Sequence, residues 1–158
     1  MAGALDLNSF IYRTAYGPLS IGARGERICR VALGSAPLAG DERPSAATNA
    51  CANQLMEYFA GKRTVFDVLL LMDGTSFQMQ VWECVRQIPY AQTRTATEVA
   101  ELIGHPGAAR AVGAALRQNP LAVLVPAHRV IAANGRVDAA DRAAQLRRAF
   151  RELEQRFA

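Results

Sequence analysis

The chain has 158 residues and a mass of 17.1 kDa, the size of one globular domain or of two small ones. Hydrophobic residues make up 51% and charged residues 20%, which excludes a disordered or collagen-like chain. The formal net charge is +4, and residues 1–75 are neutral, with seven Lys and Arg against seven acids. Residues 76–158 hold the whole excess, eleven Arg against seven acids. A one-sided positive balance is the electrostatic footprint of a polyanion binder. Since 17 of the 18 basic residues are Arg, genomic composition bias is the competing reading.

The longest apolar run, Val68-Leu69-Leu70-Leu71-Met72, is far short of the ~20 residues of a membrane span. The start, Met1-Ala2-Gly3-Ala4-Leu5-Asp6, lacks the basic and apolar blocks of a secretory signal. Cys29, Cys51 and Cys84 are odd in number and scattered. They suggest neither a disulfide framework nor a metal site, and a reducing cytoplasm is the simplest setting.

In chain order, residues 10–14, 19–22 and 28–33 read as short strands separated by Gly-containing turns, an antiparallel meander. Residues 34–44 read as an exposed loop. Residues 45–60 read as a helix with Leu55, Tyr58 and Phe59 on one side, closed by Gly61. A further strand is expected over 65–71, and Asp73-Gly74 marks a break. The expected division is an α/β domain over 1–74 and a helical domain over 75–158.

Thr75 and Gln78 have capping-box spacing ahead of a helix whose apolar face is Phe77, Val81, Trp82, Val85 and Ile88. Pro89 ends it. Thr95 and Glu98 repeat the signature before Val99, Leu102 and Ile103, and Gly104 stops that helix. After His105-Pro106-Gly107 a third helix is expected over 108–118, which makes a helix-turn-helix. A strand over 121–125 and a hairpin with Asn134-Gly135 at its tip complete a winged helix-turn-helix. The last helix, over 139–156, places Ala143, Leu146, Phe150, Leu153 and Phe157 at core spacing.

On the third helix Ala111, Val112, Ala115 and Leu116 form an apolar stripe expected to face the core. Arg110, Gly113, Ala114 and Arg117 share a second face. Glycine in mid-helix costs ~1 kcal/mol relative to Ala, so this helix gives up stability to keep that face flat. Such a face lets a helix sit close to a phosphate-lined groove. With no long polar reader at its centre, it suits shape or minor-groove binding better than major-groove readout. The alternative is that Gly113 admits a close helix–helix approach and the arginines are solvated. His128, one of two histidines, follows a turn set by Pro126, and a lone histidine is more often structural than catalytic.

Three stretches in register, Gly107-Ala108-Ala109-Arg110-Ala111-Val112-Gly113, Asn119-Pro120 and Val125-Pro126-Ala127-His128-Arg129-Val130-Ile131, closely resemble the O6-alkylguanine-DNA alkyltransferase family. Phe77-Gln78-Met79-Gln80-Val81-Trp82 and Ile88-Pro89-Tyr90 resemble that family's approach to its DNA-binding domain. The resemblance covers residues 10–158 and is densest over 77–131. It implies an α/β domain with a short antiparallel sheet (α+β overall) and a helical domain with a winged helix-turn-helix. It also implies a cysteine in a Pro-Cys-His-Arg motif that takes an alkyl group from a flipped-out guanine. His128 matches the histidine that helps generate the thiolate, Glu154 the glutamate that orients it, and Asn119 the residue bracing the turn. Arg110 matches the finger that fills the gap left by the flipped nucleotide, and flipping costs a few kcal/mol of unstacking. The candidate DNA-binding residues are thus Arg110, Gly113, Ala114 and Arg117 on the shared helix face together with Thr95, Ala96 and Arg129, and the resemblance implies that Arg129 also helps to hold the loop.

Ala127 stands where the accepting cysteine belongs, and a methyl side chain has no lone pair to attack with. Ala96 takes the place of a family tyrosine, and residues 136–141 replace a Gly/Tyr/Ser-rich lid. The expected function is therefore a non-catalytic, alkyltransferase-like protein on the minor groove of double-stranded DNA, flagging O6-alkylguanine for repair proteins. One alternative is a methylated-DNA–protein-cysteine methyltransferase whose acceptor cysteine is replaced by Ala at 127. The other is a degenerate winged-helix DNA or protein interaction module, which the Asp138 and Asp141 carboxylates would suit. No cofactor, metal or membrane is implied, and a monomer is expected.

Overall fold

A computed structural model describes residues 7–34, 38, 40–132 and 142–158. The chain divides into two compact units, one of residues up to 73 plus Pro120–Ala122, the other of Gly74–Asn119 and Val123 onward.

The first unit is built on β1 (Leu7–Thr14), β2 (Gly17–Arg24), β3 (Arg27–Leu33) and β4 (Asp41–Glu42), in the order β3-β2-β1-β4. Gly17 and Gly25 have positive φ, as the turns between the first three strands require. The first three strands form the expected meander. β4 lies inside the segment expected to be a loop and pairs parallel to β1 through Asn8–Asp41 and Ser9–Glu42. Helix α1 (Ala46–Phe59) starts at a capping box of Ser45 and Thr48. Its buried Cys51, Ala52, Leu55 and Tyr58 and the sheet residues Leu19, Ile21, Ala23, Ile28 and Val31 supply this unit's core.

Two expected strands are not strands. Residues 65–71 form no strand and bridge β3 at Ile28–Leu70. The apolar segment 121–125 bridges Val31 at Leu121 and then turns, with Val123 at φ 70°. A β-branched residue at positive φ is intrinsically unfavourable, so the sequence pattern argues against this turn. Tertiary burial overrides it: Leu121, Val123, Leu124 and Val125 are all buried while the main chain leaves the pairing.

The second unit begins with α2 (Ser76–Arg86), capped by Thr75 and Gln78. Then come β5 (Arg94–Thr95), α3 (Ala96–Leu102) and α4 (Ala109–Arg117). The chain continues through a 3-10 turn, Ala127–Arg129, into β6 (Val130–Ile131), which pairs parallel to β5. Helix α5 (Arg142–Phe157) closes the unit. The expected hairpin tip at Asn134-Gly135 and the 136–141 segment lie outside the described residues. Among those residues no helix is long and apolar enough to cross a membrane.

Three helical faces differ in phase from their sequence patterns. Leu102 is 68% exposed and Ala100 is buried in its place. On α4, Val112 and Ala115 are buried whereas Ala111 is exposed. On α5, Ala144 is buried and Ala143 exposed, Phe157 is 43% exposed, and Glu154 takes a core position. Spacing alone does not choose between adjacent positions at the edge of an apolar stripe.

Trp82 ties α2 to α4. Its ring is buried, its indole N–H donates to the Ala115 carbonyl at 2.9 Å, and Gly74 leaves room for it. A Cβ at Gly74 would lie 2.6 Å from Trp82 Cζ3. Trp82→Phe removes that donor and leaves a void, and is expected to cost about 2 kcal/mol or more. Urea denaturation checks this; an unchanged midpoint would mean that Trp82 does not tie the helices.

Candidate functional site

Pro126 sets the site's backbone. With φ −80° and ψ 69° it sits at the centre of an inverse γ-turn, in which the Ala127 N–H donates to the Val125 carbonyl at 2.8 Å. The Arg129 N–H then donates to the Pro126 carbonyl at 2.9 Å and closes the 3-10 turn. Asn119 Nδ2 donates to the same Val125 carbonyl at 3.0 Å. Asn119 thus reaches the turn from just beyond the end of α4, as a brace would.

Glu154, 1% exposed, receives the other half of the site. Its Oε2 lies 2.6 Å from His128 Nε2 and accepts from Arg129 Nη2 at 3.0 Å. Its Oε1 accepts from Arg129 Nε at 2.9 Å and from the Ala91 N–H at 3.0 Å. Arg129 Nη1 completes the bracket by donating to the Ile88 carbonyl at 2.7 Å. An ionised carboxylate only accepts hydrogen bonds, so four donors converge on two oxygens that burial would otherwise leave unsolvated.

Charge and family resemblance group Arg129 with the DNA-facing residues, and the structure corrects this. Its side chain is 9% exposed and its guanidinium spans Glu154 and Ile88. It holds the loop.

His128 is 2% exposed and packs edge-on against Phe150 at 5.6 Å. Burial pushes its pKa down from the ordinary 6.5, and the Glu154 hydrogen bond and charge oppose this only in part. The neutral ring presents Nε2–H to the carboxylate, which leaves Nδ1 as its acceptor nitrogen. In this state the imidazole is a base. Ala127, immediately before it, offers no proton to take.

Three contributors carry no motif. Arg151 Nη1 donates to the His128 carbonyl at 3.1 Å; its one sequence signal is its place one helical turn before Glu154. Ala91 adopts φ 64° in the turn closed by the Gln92 N–H on the Pro89 carbonyl, and its own carbonyl accepts from Gln155 Nε2 at 2.8 Å. Nothing in the sequence points to an alanine in a left-handed conformation.

On α4 the second face lies outward. Arg110, Ala114 and Arg117 are exposed and Gly113 is half-buried. Among the described residues, a Cβ on Gly113 would meet only Arg117 Nη1, at 3.6 Å. No neighbouring helix among the described residues therefore requires this glycine. Thr95 is engaged as the N-cap of α3, its hydroxyl accepting from the Glu98 N–H at 3.1 Å, and Ala96 beside it is half-buried. Among the described residues no group of three or more His, Cys, Asp or Glu could hold a metal ion.

Residues 76–156 match the DNA-binding domain family of 6-O-methylguanine DNA methyltransferase, and residues 10–72 match that enzyme's ribonuclease-like domain family. The methylated-DNA–protein-cysteine methyltransferase of Mycobacterium bovis is 50% identical over 102 residues, 65% of this chain and 62% of that one. The chain thus matches less than two thirds of that relative's length. The crystal structure of Mycobacterium tuberculosis O6-methylguanine methyltransferase superposes with a TM-score of 0.89 at 37% identity, covering 96% of this chain and 94% of the other. The Mycobacterium tuberculosis OGT in complex with DNA gives 0.88 at 38%, with the same coverage.

Two outcomes follow from the bracket. Glu154→Gln leaves the buried Arg129 charge uncompensated and is expected to cost about 3–5 kcal/mol in chemical denaturation; a loss below about 1 kcal/mol would mean the bracket is not a fold determinant. The unfolded chain binds a proton near pH 6.5 that buried His128 refuses, so stability falls as pH drops through about 6.5. His128→Asn should flatten that slope between about pH 7 and 5.5; an unchanged slope would assign it to other groups.

Proposed function

The chain belongs to the 6-O-methylguanine DNA methyltransferase family, and from that premise we propose that it is a non-catalytic, alkyltransferase-like DNA-binding protein. The observation that carries this reading is Ala127 at the head of a complete bracket of His128, Arg129, Glu154 and Asn119. A neutral imidazole held against a carboxylate is the apparatus for drawing a proton from a neighbouring thiol. Here the neighbour is a methyl group, so the group that would form the sulfur–carbon bond is missing.

The other cysteines do not substitute. Burial pushes the Cys51 thiol up to about 12 and raises those of Cys29 and Cys84, and thiol reactivity depends on the thiolate. Cys84 sits in α2, and Cys29 and Cys51 belong to the other unit.

The proposed DNA surface is the outward face of α4, where Arg110 and Arg117 flank Gly113 and Ala114. Two observations support it: the arginines are exposed, and no contact among the described residues requires Gly113. A flat strip between cations would admit a minor groove closely, and Arg110 is proposed to fill a vacated base position. Thr95 and Ala96, at the start of α3, are proposed as a second contact. O6-alkylguanine in double-stranded DNA is the proposed target, with the bound complex serving as a mark for repair proteins.

The test is a band-shift titration on duplexes with and without O6-methylguanine, at several salt concentrations and with a radiolabelled methyl group. Binding should weaken steeply with salt, and no label should pass to protein. Arg110→Ala should weaken binding to the lesion duplex by about tenfold, roughly 1.4 kcal/mol, and to plain duplex by less. Equal losses on both duplexes would remove the finger role. Indifference to the lesion or absence of binding would favour an interaction module instead.

A further inference from the structure

Helix α5 grips His128 at two points. Glu154 Oε2 lies 2.6 Å from the ring at Nε2. One helical turn earlier, Arg151 Nη1 donates to the main-chain carbonyl of the same residue at 3.1 Å. Residues three apart share a helix face, so one rigid element holds both the imidazole and the peptide that carries it. Phe150, next to Arg151, adds its edge-on contact with the ring. The carbonyl that Arg151 meets follows two that the 3-10 turn satisfies from its own main chain. Those of Pro126 and Ala127 accept from the Arg129 and Val130 N–H groups, and at the end of this short helix a side chain serves as the donor.

A hydrogen bond at Nε2 holds one corner of the imidazole and leaves its direction to the peptide behind it. Anchoring the residue-128 carbonyl from the same helix sets that direction as well. Arg129 is committed elsewhere: its Nε and Nη2 donate to Glu154 and its Nη1 to the Ile88 carbonyl, with the Tyr90 ring 5.7 Å from its guanidinium. Burial is the largest influence against protonating the His128 ring. Of the charged groups that act on it, Glu154 of α5 favours the protonated form, and Arg129 of the turn and Arg151 of α5 oppose it.

We propose that Arg151 is a positioning residue for His128: acting through the residue-128 carbonyl, it fixes the imidazole in the direction that serves position 127. Glu154 holds the ring, and Arg151 holds the peptide from which the ring projects. The inference rests on the reading of His128 as the group that serves residue 127, and it adds to that reading a side chain that touches neither residue 127 nor the imidazole nitrogens in the contacts described above.

Two variants of the full chain separate positioning from packing. Arg151→Met keeps an unbranched stem without donor or charge, and Arg151→Lys keeps donor and charge. Imidazole nitrogen NMR spectra are recorded across pH on histidine-labelled protein, with His105→Gln assigning the two rings. The unaltered chain should show His128 in the Nε2–H tautomer alone. Arg151→Met should admit the second tautomer and move the His128 titration to higher pH, because a cation that opposes protonation is gone; Arg151→Lys should stay close to the unaltered chain. In the Ala127→Cys background, with O6-methylguanine duplex at saturation, Arg151→Met should slow methyl transfer about tenfold and move the acid limb of its pH profile upward, and Arg151→Lys should restore most of the rate. An Arg151→Met protein that loses urea stability while tautomer and titration stay unchanged would make Arg151 merely structural, and a lysine variant no better than methionine would also overturn the role. If Ala127→Cys binds the duplex and accepts no methyl group, the alkyltransferase reading of the site fails, and the imidazole spectra alone decide for or against Arg151.

Discussion

A carboxylate buried to 1% exposure is tolerable only if its oxygens are fully engaged, and the Glu154 bracket meets that condition. His128, Arg129 and the Ala91 amide all donate into it. These donors come from the 3-10 turn and from the loop after α2, while the carboxylate itself rides on α5. The charge therefore organises three segments at once, and the strained φ of Ala91 persists because Glu154 and Gln155 grip both sides of that residue. A bracket of this kind is costly to break and performs no chemistry directly. Its product is position: a neutral imidazole held in one tautomer beside residue 127.

The same division of labour explains α4. One side of that helix is held by buried Val112 and Ala115 and by the Trp82 indole on the Ala115 carbonyl. With packing settled there, the opposite side is released to carry Arg110, Gly113, Ala114 and Arg117 outward. A mid-helix glycine that no neighbour among the described residues requires lowers stability without a compensating contact among them. In the proposed function it allows close approach to a groove. Asn119, just past the helix end, then links this surface to the turn through the Val125 carbonyl.

Much of this is legible in the residues. Helix starts with reciprocal side-chain bonds, Thr75 with Gln78 and Thr95 with Glu98, join near neighbours and are readable as such. The first three strands, bounded by Gly17 and Gly25, are equally local. What spacing does not reveal is decided by tertiary contacts. Val123 accepts an unfavourable φ because the apolar side chains around it are buried by the turn, and Ala91 accepts one because a distant carboxylate binds its amide. Arg129 looks like a DNA contact by charge and is a buried clamp by geometry. The short parallel pairing of β4 with β1 depends on a partner more than thirty positions away, which no spacing rule encodes.

In the proposed function, the bracket of His128, Arg129, Glu154 and Asn119 would prepare a nucleophile at residue 127, and Ala127 supplies none. Intact-mass spectrometry after incubation with O6-methylguanine duplex, on the chain as it stands and on Ala127→Cys, measures this directly. The expected masses are an unmodified one for the first and one added methyl group for the second, mapped to position 127. A stable methyl adduct on the unaltered chain, or none on the Ala127→Cys protein when it still binds the duplex, would refute this reading of the site.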